Sequence, residues 1–176
     1  MEGRFLQAAD TAGLRAEAVR AEAEGAAAVF LRAGELGDPI VLAAGLAPEV
    51  PRVLLGARVQ LDPQQRHPAM LAREITSLDL VCGGRSVLCF APPFIDSLEE
   101  AISLCRALWH SGEAVNEGPH FPLRAAANRA RPLGGEGPVI ALDVMAGDSV
   151  PASLAGSVDL LLRPADTTTV CVLERV

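Results

Sequence analysis

The sequence contains no lysine: all fifteen basic side chains are arginine. That absence excludes a Schiff-base enzyme, pyridoxal-phosphate chemistry and a phosphate loop of the Gly-Lys-Ser/Thr kind, because each depends on an ε-ammonium group. Tyrosine is also absent, so no phenol can donate a proton or hold an oxyanion. The four cysteines, Cys82, Cys89, Cys105 and Cys171, form no Cys-x-x-Cys pair and have no histidine at ligand spacing. They read as small buried hydrophobes in a reducing compartment, and no metal is expected. No run approaches the roughly 18 apolar residues of a membrane span, and Glu2 and Arg4 stand where a signal peptide would begin its apolar core. A soluble, cytoplasmic protein is expected. Acidic residues number 22 against those fifteen arginines, a net charge of -7, which argues against a nucleic-acid partner and against an anionic membrane surface. Dinucleotide fingerprints and nucleophile elbows are missing too.

What is present is an α/β pattern. The chain has 176 residues, half of them hydrophobic, enough for one domain over residues 1–176. Arg4 to Ala8 reads as a short opening strand, Leu14 to Glu24 as a helix ended by Gly25, and Ala26 to Leu31 as a buried strand. Asp38 and Pro39 supply a carboxylate cap and a first-turn proline for a helix over Ile40 to Leu46. Arg52 to Val59 is apolar enough to be a strand buried on both faces. Pro68 opens a helix with Leu71, Ile75 and Leu78 on one side, and Gly83 and Gly84 stop it before the strand Ser86 to Ala91. Ser97 and Glu100 have the spacing of a capping box for a helix through Trp109, with His110 and His120 as loop residues beyond it. Arg124 to Gly137 shows no period and reads as a loop. Pro138 to Val144, Val158 to Leu162 and Thr167 to Leu173 read as strands, with at most a short helix over Val150 to Ala155. Strand and helix alternate at about thirty-residue spacing, as parallel βα units do.

One stretch carries a more specific signal. Arg66 to Leu88, RHPAMLAREITSLDLVCGGRSVL, resembles the luciferase-like flavin- or deazaflavin-dependent oxidoreductases, which carry RHP-x-x-LA-x-E-x-x-x-LD-x-x-S-GGR just before a barrel strand. Cys82 replaces the serine. The likeness continues in the strand Ala26 to Leu31, in Arg52 to Val59, and in the helix ending at Leu108 and Trp109 with Val115, Gly118 and Phe121 after it. The resemblance implies a TIM-type (β/α) barrel, FMN or F420 as cofactor, a small-molecule substrate, and oxidoreductase or monooxygenase chemistry. It also implies a homodimer through the helices Pro68 to Leu80 and Asp38 to Leu46, or assembly with a longer family relative.

A full (β/α)₈ barrel takes about 250 residues. With about seven mostly parallel strands and four helices, this one is expected to be truncated or incomplete. Family members have an insertion after the fourth strand and further C-terminal βα units that help to hold the cofactor phosphate. Arg32-Ala33-Gly34-Glu35 stands where many members place an Asp-His pair, and Ala91-Pro92-Pro93 replaces a glycine-rich exit. No family catalytic histidine maps onto the chain, so catalytic residues are unassigned.

Ligands of parallel barrels bind at the C-terminal ends of the strands. The candidate cofactor-binding residues are therefore Arg32, Gln60, Asp62, Cys89, Phe90, Asp143 and Arg163. Arg32 and Arg163 are candidates for a phosphate or an acidic deazaflavin tail, and Asp143 for a general base; each also reads as a charged residue at a solvated strand end. His67 reads as structural, at a helix start. Two functions follow: a luciferase-like oxidoreductase, or a noncatalytic cofactor-binding or partner subunit on the same scaffold.

Overall fold

The computed structural model describes all residues except 63, 65, 94–95, 145–149, 151, 155 and 166–168. Its elements run β1 Glu2–Phe5, α1 Thr11–Ala23, β2 Ala28–Arg32, α2 Pro39–Leu46, β3 Leu54–Val59, α3 Pro68–Val81, β4 Ser86–Phe90 and α4 Leu98–His110. A hairpin of β5 Glu113–Asn116 and β6 Leu123–Ala127 follows, then β7 Val139–Asp143, β8 Leu160–Pro164 and β9 Val170–Arg175. Seven strands close a barrel in the order β1-β2-β3-β4-β7-β8-β9. Neighbours are parallel except that β9 is antiparallel to both β8 and β1. Only residues 165–169 separate β8 from β9. A parallel crossover needs a dozen residues or more, so so short a connection forces the reversal.

Helices α2 and α3 begin where the local start signals predict, while α1 begins at Thr11, three residues before the expected Leu14, because Asp10 caps it. Asp38 accepts from the backbone N–H groups of Ile40 (2.8 Å) and Val41 (3.4 Å) at the start of α2. His67 caps α3, its Nδ1 accepting from Ala69 N at 3.1 Å. Past α3 the chain turns through Gly83 and Gly84 at φ +70° and +81°, a conformation that suits residues without a Cβ. Arg85 then reaches back to the carbonyls of Val50 (2.8 Å), Val53 (2.5 Å) and Ala47 (3.4 Å), satisfying the end of α2.

The capping box expected at Ser97 and Glu100 does not form, because Ser97 is already in the helical region and makes no side-chain cap bond. The Glu100 carboxylate instead accepts from Asn116 Nδ2 (2.5 Å), His120 N (3.2 Å) and Phe121 N (2.8 Å), fastening the hairpin to α4. The hairpin itself corrects the reading of Arg124 onward as loop, since Leu123–Ala127 pairs antiparallel with β5. Alanine-rich and half exposed, β6 has neither the β-branched residues nor the alternation that mark a strand. His110 ends α4 and is not a loop residue. The opening strand lies two residues earlier than expected, because Gly3 to Phe5 pair with Ala28 to Phe30. The expected helix over Val150 to Ala155 falls partly outside the described residues, and the described 152–154 form a turn.

Strand alternation divides the core in two. Phe5, Ala28, Phe30, Val87, Cys89, Ala141, Leu160, Leu162, Cys171 and Leu173 fill the barrel interior. Val29, Leu31, Leu55, Leu88, Phe90, Ile140 and Leu142 face outward and pack with the apolar sides of the helices. The interior is plugged by Phe30, whose ring lies across two glycines. A Cβ on Gly56 would fall 2.1 Å from Phe30 Cδ1, and one on Gly3 would fall 3.0 Å from Phe30 Cε2 and from Cys171 Sγ. Among the described residues no helix is long and apolar enough to cross a membrane.

Candidate functional site at the barrel mouth

On β2, β3 and β7 the same alternation, two residues beyond an interior position, carries charged side chains to the C-terminal end of the barrel. Arg32 follows Phe30 in β2, Arg58 follows Gly56 in β3, and Asp143 follows Ala141 in β7. Arg32 and Arg58 are direct register partners on neighbouring strands. The Arg58 Nε donates to Asp143 Oδ2 at 2.5 Å, with side-chain exposures of 24% and 9%. Arg32 lies over the Phe5 ring, its guanidinium carbon 4.2 Å from the centroid, a cation–π contact. Burial lowers the Arg32 pKa and the neighbouring Arg58 lowers it further, while Asp143 opposes both. Two guanidiniums and one carboxylate thus share a partly dehydrated mouth on a protein of net charge -7.

Beside them is a cavity of about 300 Å³ between the exits of β1 and β2, lined by Leu6, Ala8, Leu14, Leu31 and Leu42 together with the polar Gln7, Arg32 and Glu35. A largely apolar wall with a guanidinium at one place suits a molecule that is apolar at one end and anionic at the other, with Glu35 as a competing charge.

The expected site residues separate by the face they occupy. Arg32 and Asp143 come together at the mouth. Cys89 is interior but fully buried beneath it, and burial, with Asp143 nearby, pushes its thiol well above the ordinary range. Cys171 is likewise pushed up to about 12, chiefly by burial. Neither is a reactive thiolate. Phe90 turns outward into the layer under the helices, because it lies one residue from inward-facing Cys89. Arg163 alternates with inward-facing Leu162 and pairs on the outside with Glu174 at 2.8 Å. Gln60 is exposed just past β3. Asp62 builds the turn into α3, accepting from Gln64 N (2.9 Å) on its side chain and from Arg66 N (3.0 Å) on its carbonyl. His67 packs edge-on against Phe121, with ring centroids 5.6 Å apart.

Arg58 is not among the expected site residues, because a strand expected to be buried on both faces offers no functional side chain; a lone arginine two positions past a glycine in the C-terminal half of the strand is the signal that marks it. Among the described residues no group of three or more His, Cys, Asp and Glu side chains is placed to hold a metal ion.

A sequence profile described as luciferase-like monooxygenase matches residues 3–158. Over 105 residues the chain is 36% identical to the phthiodiolone/phenolphthiodiolone dimycocerosates ketoreductase of Mycobacterium sp. (strain JLS), covering 51% of this chain and 27% of that protein. Among solved structures, the coenzyme F420-dependent tetrahydromethanopterin reductase of Methanopyrus kandleri superposes with a TM-score of 0.74 at 16% identity, covering 92% of this chain and 55% of the reductase. The oxygenating constituent of 3,6-diketocamphane monooxygenase from Pseudomonas putida, in complex with FMN, gives 0.64 at 19% identity, covering 80% and 48%. At such identities the superpositions show the fold. The chain spans about half the length of these solved structures.

Proposed function

Since the chain belongs to the luciferase-like monooxygenase family, we propose that it binds FMN or F420 at the C-terminal mouth of its barrel and serves an oxidoreductase or monooxygenase reaction on a small molecule. The observation that carries this reading is the pairing of Arg32 and Arg58 in register beside a cavity walled mainly by leucine and alanine. Both cofactors have a flat ring system and an anionic tail, and the residues present fit that division. The guanidiniums would hold the phosphate or the acidic tail, and the wall of Leu6, Leu14, Leu31 and Leu42 would cover the ring and exclude water. When bound, such a cofactor supplies the electrons that reduce a carbonyl or activate dioxygen. The chain's own part is to bind and orient: Phe5 fixes the Arg32 side chain from below, and Asp143 fixes Arg58.

A second reading, a cofactor-binding subunit without turnover, is favoured by one observation. The mouth carboxylate Asp143 is engaged by Arg58, and among the described residues the cavity is lined by Glu35 and no histidine.

Titration of the purified protein with FMN and with F420, followed by cofactor fluorescence, tests the proposal. One of them should bind saturably, and Arg32→Gln should weaken that binding about tenfold, as loss of a charge-assisted hydrogen bond does. A folded protein that binds neither would overturn it. Binding without any substrate-dependent oxidation of the reduced cofactor would select the second reading.

A further inference from the structure

We infer that Asp143 is a resident counter-ion of the mouth, an internal carboxylate that occupies Arg58 until an anionic group on the incoming ligand replaces it. The inference rests on the mouth being the ligand site and concerns how that site selects what enters.

Three observations converge. First, Asp143 reaches Arg58 across the mouth: β4 lies between their strands, with Arg58 paired to Cys89 and Cys89 to Ala141, two residues before Asp143. Second, the contact uses only the Arg58 Nε. The two terminal nitrogens make no hydrogen bond among the described residues, so the edge of the guanidinium that grips an oxyanion in a two-pronged manner is uncommitted. Third, both partners are largely withdrawn from water, and Asp143 also faces Arg32, Cys89 and Cys171. A partly buried guanidinium left without a counter-charge is costly, and Asp143 removes that cost while no ligand is bound.

The same carboxylate sets the terms for binding. A phosphate brought against Arg58 and Arg32 meets Asp143 at short range in a poorly hydrated space, and two anions so placed repel. Binding therefore requires that Asp143 give up or share Arg58. An anionic ligand replaces what is lost, whereas a neutral ligand with the same ring gains nothing from the guanidiniums. Asp143 weakens anion binding overall and makes the mouth discriminate by charge.

The test compares FMN, F420, riboflavin and inorganic phosphate on the intact chain and on Asp143→Asn and Arg58→Gln, with fluorescence for the flavins and F420 and calorimetry for phosphate. Asn keeps the size and one acceptor oxygen of Asp143 but removes its charge. Expected is that Asp143→Asn tightens FMN about tenfold and leaves riboflavin unchanged, while Arg58→Gln weakens FMN about tenfold and also leaves riboflavin unchanged. Because the Asn variant should bind more tightly, misfolding cannot imitate the result. Equal binding of FMN and riboflavin, indifferent to Asp143→Asn, would overturn this inference and leave the flavin reading standing. Phosphate tightened by Asp143→Asn without binding of FMN, riboflavin or F420 would support the inference and overturn the cofactor reading. No binding of any probe would overturn both.

Discussion

Glu74 and Asp38 flank the Arg66 guanidinium, and burial treats them differently. Burial tends to raise the Asp38 pKa, but Arg66 and the N–H groups of Ile40 and Val41 outweigh it and hold the carboxyl below its ordinary 3.8. Burial also raises Glu74, and there it prevails above the ordinary 4.5, because Arg66 stands 3.5 Å away and opposes it only in part while Asp38 adds repulsion. The signs follow from linkage. Asp38, depressed in the folded state, contributes stability that is present above its ordinary value and is lost as pH falls from 3.8 through the folded value. Glu74, raised in the folded state, costs stability above its folded value, and that cost is relieved as pH falls to 4.5. Thermal melts of Glu74→Gln across pH 3 to 8 should show a gain over the parent at neutral pH that vanishes below about pH 4.5. A gain that persists at pH 3 would show that the effect is not ionisation. Neither shift was legible in the sequence, where Asp38 announced itself as a cap and Glu74 as one letter of a motif. Arg58 escaped for a related reason: burial in a strand is averaged over residues, whereas the mouth is made by the inward half of them.

At the scale of the element, the motif that identified the family builds a joint. Asp79 is buried in α3, where its Oδ1 accepts from Ser86 Oγ at 2.6 Å and its Oδ2 from Leu133 N at 2.8 Å, so that one carboxylate ties α3, β4 and the chain after the hairpin together. With His67 as cap, two left-handed glycines and Arg85 over the end of α2, these parts of the signature are accounted for by folding. Asp79→Ala should cost about 3 kcal/mol, since it strands a buried hydroxyl and a backbone N–H that bonded a charged group. Urea unfolding measures it, and a loss under about 1 kcal/mol would show that the joint is held by apolar packing instead. Helices α2 and α3 were legible nearly to the residue because caps and first-turn prolines are local chemistry. The interface expected on them is not visible in a single chain, although Val41 on α2 and Met70 on α3 are 70% and 51% exposed. The β5–β6 hairpin was missed because pairing partners, and not propensity, make it a pair of strands.

For the whole molecule, the number of barrel strands and their mostly parallel sense were legible, while closure was not: nothing local says that the last strand will turn back and pair with the first. Closing the barrel on seven strands leaves a narrow interior that Phe30 fills. Gly56→Ala should therefore destabilise the barrel by about 2 kcal/mol or more, because the added methyl meets an aromatic ring boxed in by its neighbours. A thermal melt unchanged from the parent would mean that the ring has somewhere to go. Phe30 and Gly56 consequently act as one coupled pair on adjacent strands. Enlarging Gly56 is blocked while the phenyl ring is present, whereas trimming Phe30 first opens a hole that a side chain at Gly56 can fill, so the two substitutions are tolerated in one order and not in the other.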